Sequence, residues 1–519
     1  MSEMWPNIPG SAQVFLVAWL VLLVLTIVLF VKKNKWFGAS FALTVFSLAS
    51  AFALFSPYLY RWDEQFHALV GKNLAAKPFH PRLIDLDPSL WHPEGWANSQ
   101  TWLHKQPLFL YQIAVAVKFL GATAYAVRLP SILLHVAGTL VLYDMGKMML
   151  NRNLGFLAAL IFSVSAFPLG LLSGRIGTDH NDSVFMIYVL LSFWAWFKFY
   201  TSENKKWVKW IGIFVGCAIL TKWLVGLLIF APWALLICFD WYKTKAIEIL
   251  PFLKALVIAL LVSLPWQIYI FIRFPKEAKF EMEYNSRHFF EVIEGHVGEW
   301  DFHFDTISNV LFSGEAILFL LIFSAFALRS AEKRTKMLWL VLAFSSLLVY
   351  VFFTIAVTKM NSFVAPAFPL LILLISYPLA KAIDSIDNKY LMGLSFIVVF
   401  LVFGNAVSKP IKTLEEYGFK EDTEQKGTAN LMNLQLQFIN SQDQGKKKDI
   451  VLNGFLRGQG NIQWQFFKDT KVISGILSEA KIKALKKAGY KISCVKWQWG
   501  DTIPDYILSD STIRFIQFE

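Results

Sequence analysis

Residues 61–107 read RWDEQFHALVGKNLAAKPFHPRLIDLDPSLWHPEGWANSQTWLHKQP, a polar island between two long apolar runs. The island opens with adjacent acids, Asp63 and Glu64, and closes with Lys105 in HKQP. From Trp62 to Ala76, Phe66, Leu69, Val70, Asn73 and Leu74 recur at helical spacing with mostly polar residues between them, which predicts an amphipathic helix. Beside a membrane span such a helix tends to lie along the interface. The acid pair then stands in its first turn, where the helix dipole favours ionised carboxylates. A large wet loop accounts for most of the polar residues here. Asp63 and Glu64 differ because they follow directly on an apolar run, near membrane depth, where acids are costly and usually have a task or a partner.

The rest of the chain places that island in a membrane. Of 519 residues, 56% are hydrophobic and only 17% charged, which excludes an ordinary soluble domain. The 48 Phe and 20 Trp suit lipid-facing surface and interfacial belts. The net charge of +12 is no nucleic-acid signal, because the basic residues fall mostly in short loops between apolar runs. Three cysteines, two of them inside apolar runs, give no disulfide framework. The start, MSEMWPNIPG, lacks the features of a cleaved signal, so the first apolar run is expected to be a retained span.

About twelve spans are expected, at 13–31, 37–58, 125–147, 154–173, 184–200, 208–221, 223–239, 249–272, 306–328, 337–356, 361–380 and 389–408. The run 107–120 is too short and reads as an interfacial or re-entrant helix. Alternate loops carry Lys32, Lys33 and Lys35; Lys147 and Arg152; Lys205, Lys206 and Lys209; Lys243 and Lys245; Arg329, Lys333, Arg334 and Lys336; Lys381 and Lys389. The positive-inside rule makes these cytoplasmic and turns the island outward. The expected division is a transmembrane domain over 1–409, with outward loop 59–124, and a soluble extracytoplasmic α/β domain over 410–519. In the latter, DIVLNGF, DTKVIS, YKISCVKW, DYILSD and IRFIQF read as strands and SEAKIKALKKAGY as a helix. GFLRGQGN lacks the spacing of a phosphate loop.

The outward set gathers charge at one face. SGRIGTDHNDS carries Arg175, Asp179, His180 and Asp182; LTKW carries Lys222; the loop 273–305 carries His288 and His296; TKMNS carries Lys359. Arginine and lysine are natural clamps for a lipid-linked phosphate or diphosphate. A positioned carboxylate can take a proton from an acceptor hydroxyl or amine. Snorkelling at helix ends explains any one of these cations, but not the one-sided set. Asp179, His180 and Asp182, or His288 and His296, have the chemistry of metal ligands without diagnostic spacing, so the metal is left unknown and a divalent ion open.

At these residues the chain resembles the GT-C membrane glycosyltransferases, in the branch of protein O-mannosyltransferases and ArnT-like lipid A aminoarabinose transferases. The ordered series is Asp63-Glu64 after an early span, Lys105 in HKQPLFLY, Arg128 in AVRLPSILL, Arg175 to Asp179 in GRIGTDHND, Lys222 in LTKWLVGLL, His296 in HVGEWDFHFD and Lys359 in TKMNSFVAPAFP. The series departs from the family pattern where Trp223 replaces a glycine and where the second proline of the Lys105 motif is missing.

The resemblance implies a polytopic α-helical protein that transfers a sugar from a polyprenyl-phosphate donor to a lipid, glycan or protein acceptor, outside the inner membrane. It implies Asp63 as the catalytic carboxylate, supported by Glu64 and Asp179. It assigns Lys105, Arg175, Lys222 and Lys359 to the donor phosphate. His288 and His296 are candidates for the acceptor or sugar pocket. The rival class is a transporter or flippase of a lipid-linked or anionic substrate. It predicts internal repeats and ionisable residues at mid-span, and neither is evident.

Overall fold

The apolar runs become helices because a backbone in hydrocarbon must satisfy its own hydrogen bonds. The computed structural model describes residues 9–84, 99–175, 180–244, 248–305, 314–399, 401–402, 423–443, 445–446, 448–454, 460–497 and 502–517. The first helices are α1 (Gly10–Val31), α2 (Phe37–Leu54), α3 (Asp63–Ala76), α4 (Pro107–Leu120), α5 (Ala124–Met149), α6 (Arg152–Val164) and α7 (Ala166–Leu172). They are followed by α8 (His180–Ser202), α9 (Lys206–Lys222), α10 (Phe230–Thr244), α11 (Leu250–Arg273) and α12 (Pro275–Phe290).

Among the described residues, eight helices are long and apolar enough to cross a bilayer, or nine if α6 and α7, bent by 52°, form one span. The chain is a multi-pass membrane protein. The expected run 223–239 instead splits into a 3₁₀ turn, Trp223–Leu227, and α10. Pro107–Leu120, Ile317–Ser330 and Lys389–Val399 are shorter apolar helices.

The chain divides into two compact units. The first holds Met1–Phe55, Lys105–Phe109 and Pro130–Tyr417; the second holds Ser56–His104, Leu110–Leu129 and Gly418–Glu519. In the first unit, α9 lies close against α11 through Gly212 and Gly216. A Cβ on Gly212 would meet the Ala255 carbonyl oxygen at 2.5 Å, and one on Gly216 would meet Val262 Cβ at 2.6 Å. Small residues four apart are how helices in lipid approach closely. Between α1 and α2 the Thr26 hydroxyl meets those of Ser40 at 2.7 Å and Thr44 at 2.8 Å, satisfying buried polar groups in an apolar layer.

In the second unit, helix Thr423–Ser441 leads into a four-stranded sheet of β1 (Asp449–Leu452), β2 (Lys471–Val472), β3 (Lys491–Lys496) and β4 (Arg514–Gln517), in the order β2-β1-β3-β4. All three pairings are parallel. Parallel neighbours need crossovers, and helices Gly460–Phe467 and Glu479–Lys487 supply them. Ile439, Val451, Trp464, Val472 and Val495 form the core. DYILSD is not a strand: Asp505–Leu508 is a single helical turn after Pro504. An acid directly after proline is a helix-start signal, and Ile507 alone turns inward.

The island helix α3 begins at Asp63 as expected, but its polar side is not open to water. Gln65 and His67 are as buried as Phe66 and Val70. The reason lies in the second unit's own contacts. Gln65 Nε2 donates to the Leu59 carbonyl at 3.2 Å and to Met432 Sδ at 3.5 Å. Lys72 Nζ donates to the carbonyls of Gln465, Phe466 and Lys468 at 2.9–3.1 Å and pairs with Asp469 at 3.2 Å. A lysine thus closes the C-terminal end of helix Gly460–Phe467, where the dipole favours a cation. Burial lowers the Lys72 pKa, opposed by Asp469.

Candidate active site

The acid pair separates into two roles within the second unit. Glu64 is fully buried and so is Arg128, at the start of α5. Arg128 Nε donates to Glu64 Oε1 at 2.7 Å and Nη2 to Oε2 at 3.1 Å. Nη1 donates to the Ser56 carbonyl at 2.6 Å and Nη2 also to that of Tyr58 at 2.8 Å. The Tyr60 amide donates to Glu64 Oε2 at 2.6 Å. Glu64 and Arg128 therefore fix the approach to α3. The sequence motif contained Arg128, but sequence offered no reason to pair it with an acid 64 positions away.

Asp63 is half-buried in the first turn of α3. The residue before it, Trp62, has φ 65° and ψ −128°, a backbone region that a bulky residue adopts only under constraint. The fixed geometry of Glu64 and the strained step at Trp62 flank Asp63. Asp179 lies outside the described residues.

In the first unit, Asp182 and Lys222 form an ion pair between the start of α8 and the end of α9. Asp182 is buried beside buried His180, Asn181 and Ser183, and Lys222 Nζ stands 5.1 Å from the centre of the Phe363 ring. Trp223, directly after Lys222, has φ 64° and ψ −157°. That is glycine territory, and it is the position where the family pattern has glycine.

Lys105 is half-buried and acts on two side chains of α12. Glu281 is buried, and burial raises its pKa to about 7 against the pull of Lys105. Burial lowers the pKa of His288; its bond with the Tyr284 carbonyl and the Glu294 charge oppose this, while Lys105 and Lys222 add to the lowering. Sequence reasoning missed Glu281, whose neighbours in KFEMEYN show nothing of its burial.

Lys359 stands at a helix end. Its amine donates to the carbonyls of Phe353 at 3.0 Å and of Thr354 and Ala356 at 2.6 Å, which caps helix Lys333–Ile355. Its backbone amide donates to the His296 carbonyl, and that of Thr358 to the His288 carbonyl, both at 3.1 Å. Thr358 and Lys359 thus join the two candidate histidines to the helix end. His303 beside it is buried, and burial followed by the Lys359 charge lowers its pKa to about 4. Arg175 lies at the end of the turn after α7, 5.9 Å from the centre of the Phe55 ring. The first unit thus brings Lys105, Lys222, Asp182 and His288 together, with His296 and Lys359 attached through the backbone. No group of three or more His, Cys, Asp or Glu side chains among the described residues is arranged to hold a metal ion.

Comparison with solved structures decides the architecture. ArnT from Cupriavidus metallidurans bound to undecaprenyl phosphate superposes with a TM-score of 0.56 at 13% identity, covering 87% of each chain. The fold is ArnT-like. The oligosaccharyltransferase of Archaeoglobus fulgidus gives a TM-score of 0.52 at 11% identity, over 85% of this chain and 65% of that one.

Sequence comparison agrees with the ArnT-like fold. Residues 104–269 match the family described as dolichyl-phosphate-mannose-protein mannosyltransferase. That range includes Lys105, Arg175, Asp182 and Lys222. An undecaprenyl phosphate-alpha-4-amino-4-deoxy-L-arabinose arabinosyl transferase of Pseudomonas fluorescens is 25% identical over 54% of this chain and 49% of its own length. An uncharacterised protein of Shigella flexneri is 34% identical over 17% of this chain and 46% of its own. The chain spans about half the length of the curated relatives it matches.

Proposed function

We propose that the protein is a membrane glycosyltransferase that moves a sugar from a polyprenyl-phosphate donor to a lipid, glycan or protein acceptor. One observation carries this reading: buried Asp182 pairs with Lys222 between the start of α8 and the end of α9, inside the stretch 104–269 that matches the mannosyltransferase family. A lysine oriented by a buried carboxylate suits a phosphate-bearing ligand. The family match over 104–269 and the ArnT-like fold support the same class.

In this reading Lys105, Lys222 and Arg175 hold the donor phosphate, and Asp182 orients Lys222. Asp63 accepts the acceptor's proton as the nucleophile attacks the anomeric carbon and the polyprenyl phosphate leaves. Glu64 and Arg128 position the turn that bears Asp63. Asp179 supports the acid, and His288 and His296 belong to the sugar or acceptor pocket. The backbone amides of Thr358 and Lys359 tether those histidines to the end of helix Lys333–Ile355, and Lys359 is a further candidate for the donor phosphate. The direct contacts of α3 with the C-terminal sheet domain support an arrangement in which both lie on the extracytoplasmic side of the inner membrane.

The test is donor binding. Lys105→Met and Lys222→Met should each weaken binding of a polyprenyl-phosphate sugar about tenfold or more, the equivalent of one lost charge-assisted contact. Binding unchanged in both variants would remove the phosphate clamp and the reading with it.

A further inference from the structure

Residues 56–60, which lead into the turn bearing Asp63, are held from three sides. Arg128 of α5 donates to the Ser56 and Tyr58 carbonyls. From α3, Glu64 accepts the Tyr60 amide and Gln65 Nε2 donates to the Leu59 carbonyl. The third side is the C-terminal domain. Gln463 Oε1 accepts the Leu59 amide at 2.9 Å, a buried bond between residues 404 positions apart. Tyr58 packs in one buried cluster with Met432 and Leu436, edged by Tyr60 and Phe467. The turn, α3 and the sheet domain accordingly belong to one compact unit.

Gln463 has a fixed base. Its helix, Gly460–Phe467, sends Trp464 into the domain core, and Gln465 Nε2 donates to the Val472 carbonyl of β2 at 3.2 Å. Lys72 of α3 closes the far end of the same helix. That helix therefore meets Leu59 ahead of α3 and Lys72 within it. Gln463 is fully buried. An apolar side chain of the same size would fill the space without burying an amide. A buried hydrogen bond instead fixes one arrangement where apolar packing admits several. What it steadies is the step at Trp62, with φ 65° and ψ −128°. Such a conformation persists only where its surroundings over-determine it. On the α3 side the Trp62 carbonyl accepts the Gln65 and Phe66 amides at 3.0 and 3.3 Å. On the other side the constraint is the fastened segment 56–60, so the direction of Asp63 depends on both.

We infer that the C-terminal sheet domain is a working part of the candidate active site, with Gln463 as a positioning residue that sets the turn bearing Asp63 through the Leu59 amide. The consequence for transfer rests on the glycosyltransferase reading above; the clamp on residues 56–60 does not.

The test uses the full chain in detergent, with polyprenyl-phosphate sugars as donors and membrane extract as acceptor source. Gln463→Met keeps the length of the side chain and removes the acceptor. Its kcat should fall at least about tenfold, since a misplacement of about 1 Å can cost about a hundredfold. Its KM for the donor should stay at the wild-type value, because Lys105 and Lys222, proposed to hold the donor, belong to the other unit. Hydrogen exchange read by mass spectrometry should quicken in peptides covering residues 56–66 and not in those covering α8. Gln463→Glu keeps an acceptor oxygen for the Leu59 amide but buries a charge, so it should retain most of the wild-type kcat although it unfolds more readily. Lys483→Gln, at an exposed position of the same domain, should match wild type in both readouts. Wild-type kcat, or unchanged exchange, in Gln463→Met would overturn the inference. So would a kcat loss in both Gln463 variants that follows their loss of stability, the mark of a structural role alone. If wild type consumes no donor, the transfer reading fails and exchange at residues 56–66 decides the clamp: quickened exchange in Gln463→Met upholds it, and unchanged exchange overturns it.

Discussion

Replacing Arg128 with methionine removes every donor that Glu64 and the turn before α3 receive from it. Both side chains of the pair are fully buried, and the guanidinium also serves the carbonyls of Ser56 and Tyr58. Removing one partner of a buried ion pair leaves an uncompensated charge and costs about 3–5 kcal/mol. Glu64→Gln leaves the buried Arg128 guanidinium without its counter-charge and should cost a similar amount, although the amide keeps a carbonyl oxygen for the Tyr60 N–H. The double variant Glu64→Gln/Arg128→Met no longer buries a lone carboxylate, but the two carbonyls still lack donors, at about 1–3 kcal/mol each. The double variant should therefore be more stable than the sum of the single losses predicts, with a coupling of about 2 kcal/mol or more. Reversible unfolding in mixed dodecyl maltoside and SDS micelles, followed by tryptophan fluorescence, measures all three. A loss under about 1 kcal/mol for Arg128→Met, or additive losses within about 0.5 kcal/mol, would refute the role given to this pair.

Other outcomes follow from the same geometry. Glu281 has its pKa raised to about 7 by burial, so its contribution to stability is complete below its ordinary value of 4.5 and is lost as pH rises through 7. Glu281→Gln should flatten stability between those pH values and gain at most about 3 kcal/mol at pH 8, and an unaltered pH profile would contradict the burial argument. His303 runs the other way. Its depressed pKa of about 4 gives stability present above 6.5 and lost as pH falls toward 4, a loss that His303→Gln should remove from the unfolding curve. At Trp223, glycine should be more stable than alanine by about 1 kcal/mol or more, because both remove the ring and only glycine accepts φ 64° without strain. Equal melting points for the two variants would show that the backbone there is unstrained.

Local signals in the chain carried much of this structure. The apolar runs and the acid pair after Trp62 were enough to place the long helices and the start of α3, because helix length and N-terminal acids are local features. The small α/β domain was legible from its short strand-like runs, but the parallel pairing of its strands was not. Pro504 was the local sign that DYIL turns instead of extending. Partnerships across the chain were not legible. Glu64 looks the same in sequence whether it meets Arg128 or substrate, and Lys359 the same whether it meets phosphate or three carbonyls. The polar side of α3 looked like a solvated face because its partners, Met432 and the end of helix Gly460–Phe467, lie more than 360 residues further on. Glu281 was hidden for a like reason, since only the folded chain sets it beside Lys105.

The central claim is that Asp63 activates the acceptor for transfer from a polyprenyl-phosphate sugar. The most direct measurement is mass spectrometric release of polyprenyl phosphate from a panel of such donors, with membrane extract as acceptor source. Wild type and Asp63→Asn are compared side by side. The account predicts that wild type consumes one donor while Asp63→Asn, folded and still able to bind it, consumes none. Consumption by Asp63→Asn at the wild-type rate, or by neither protein with any donor, would contradict it.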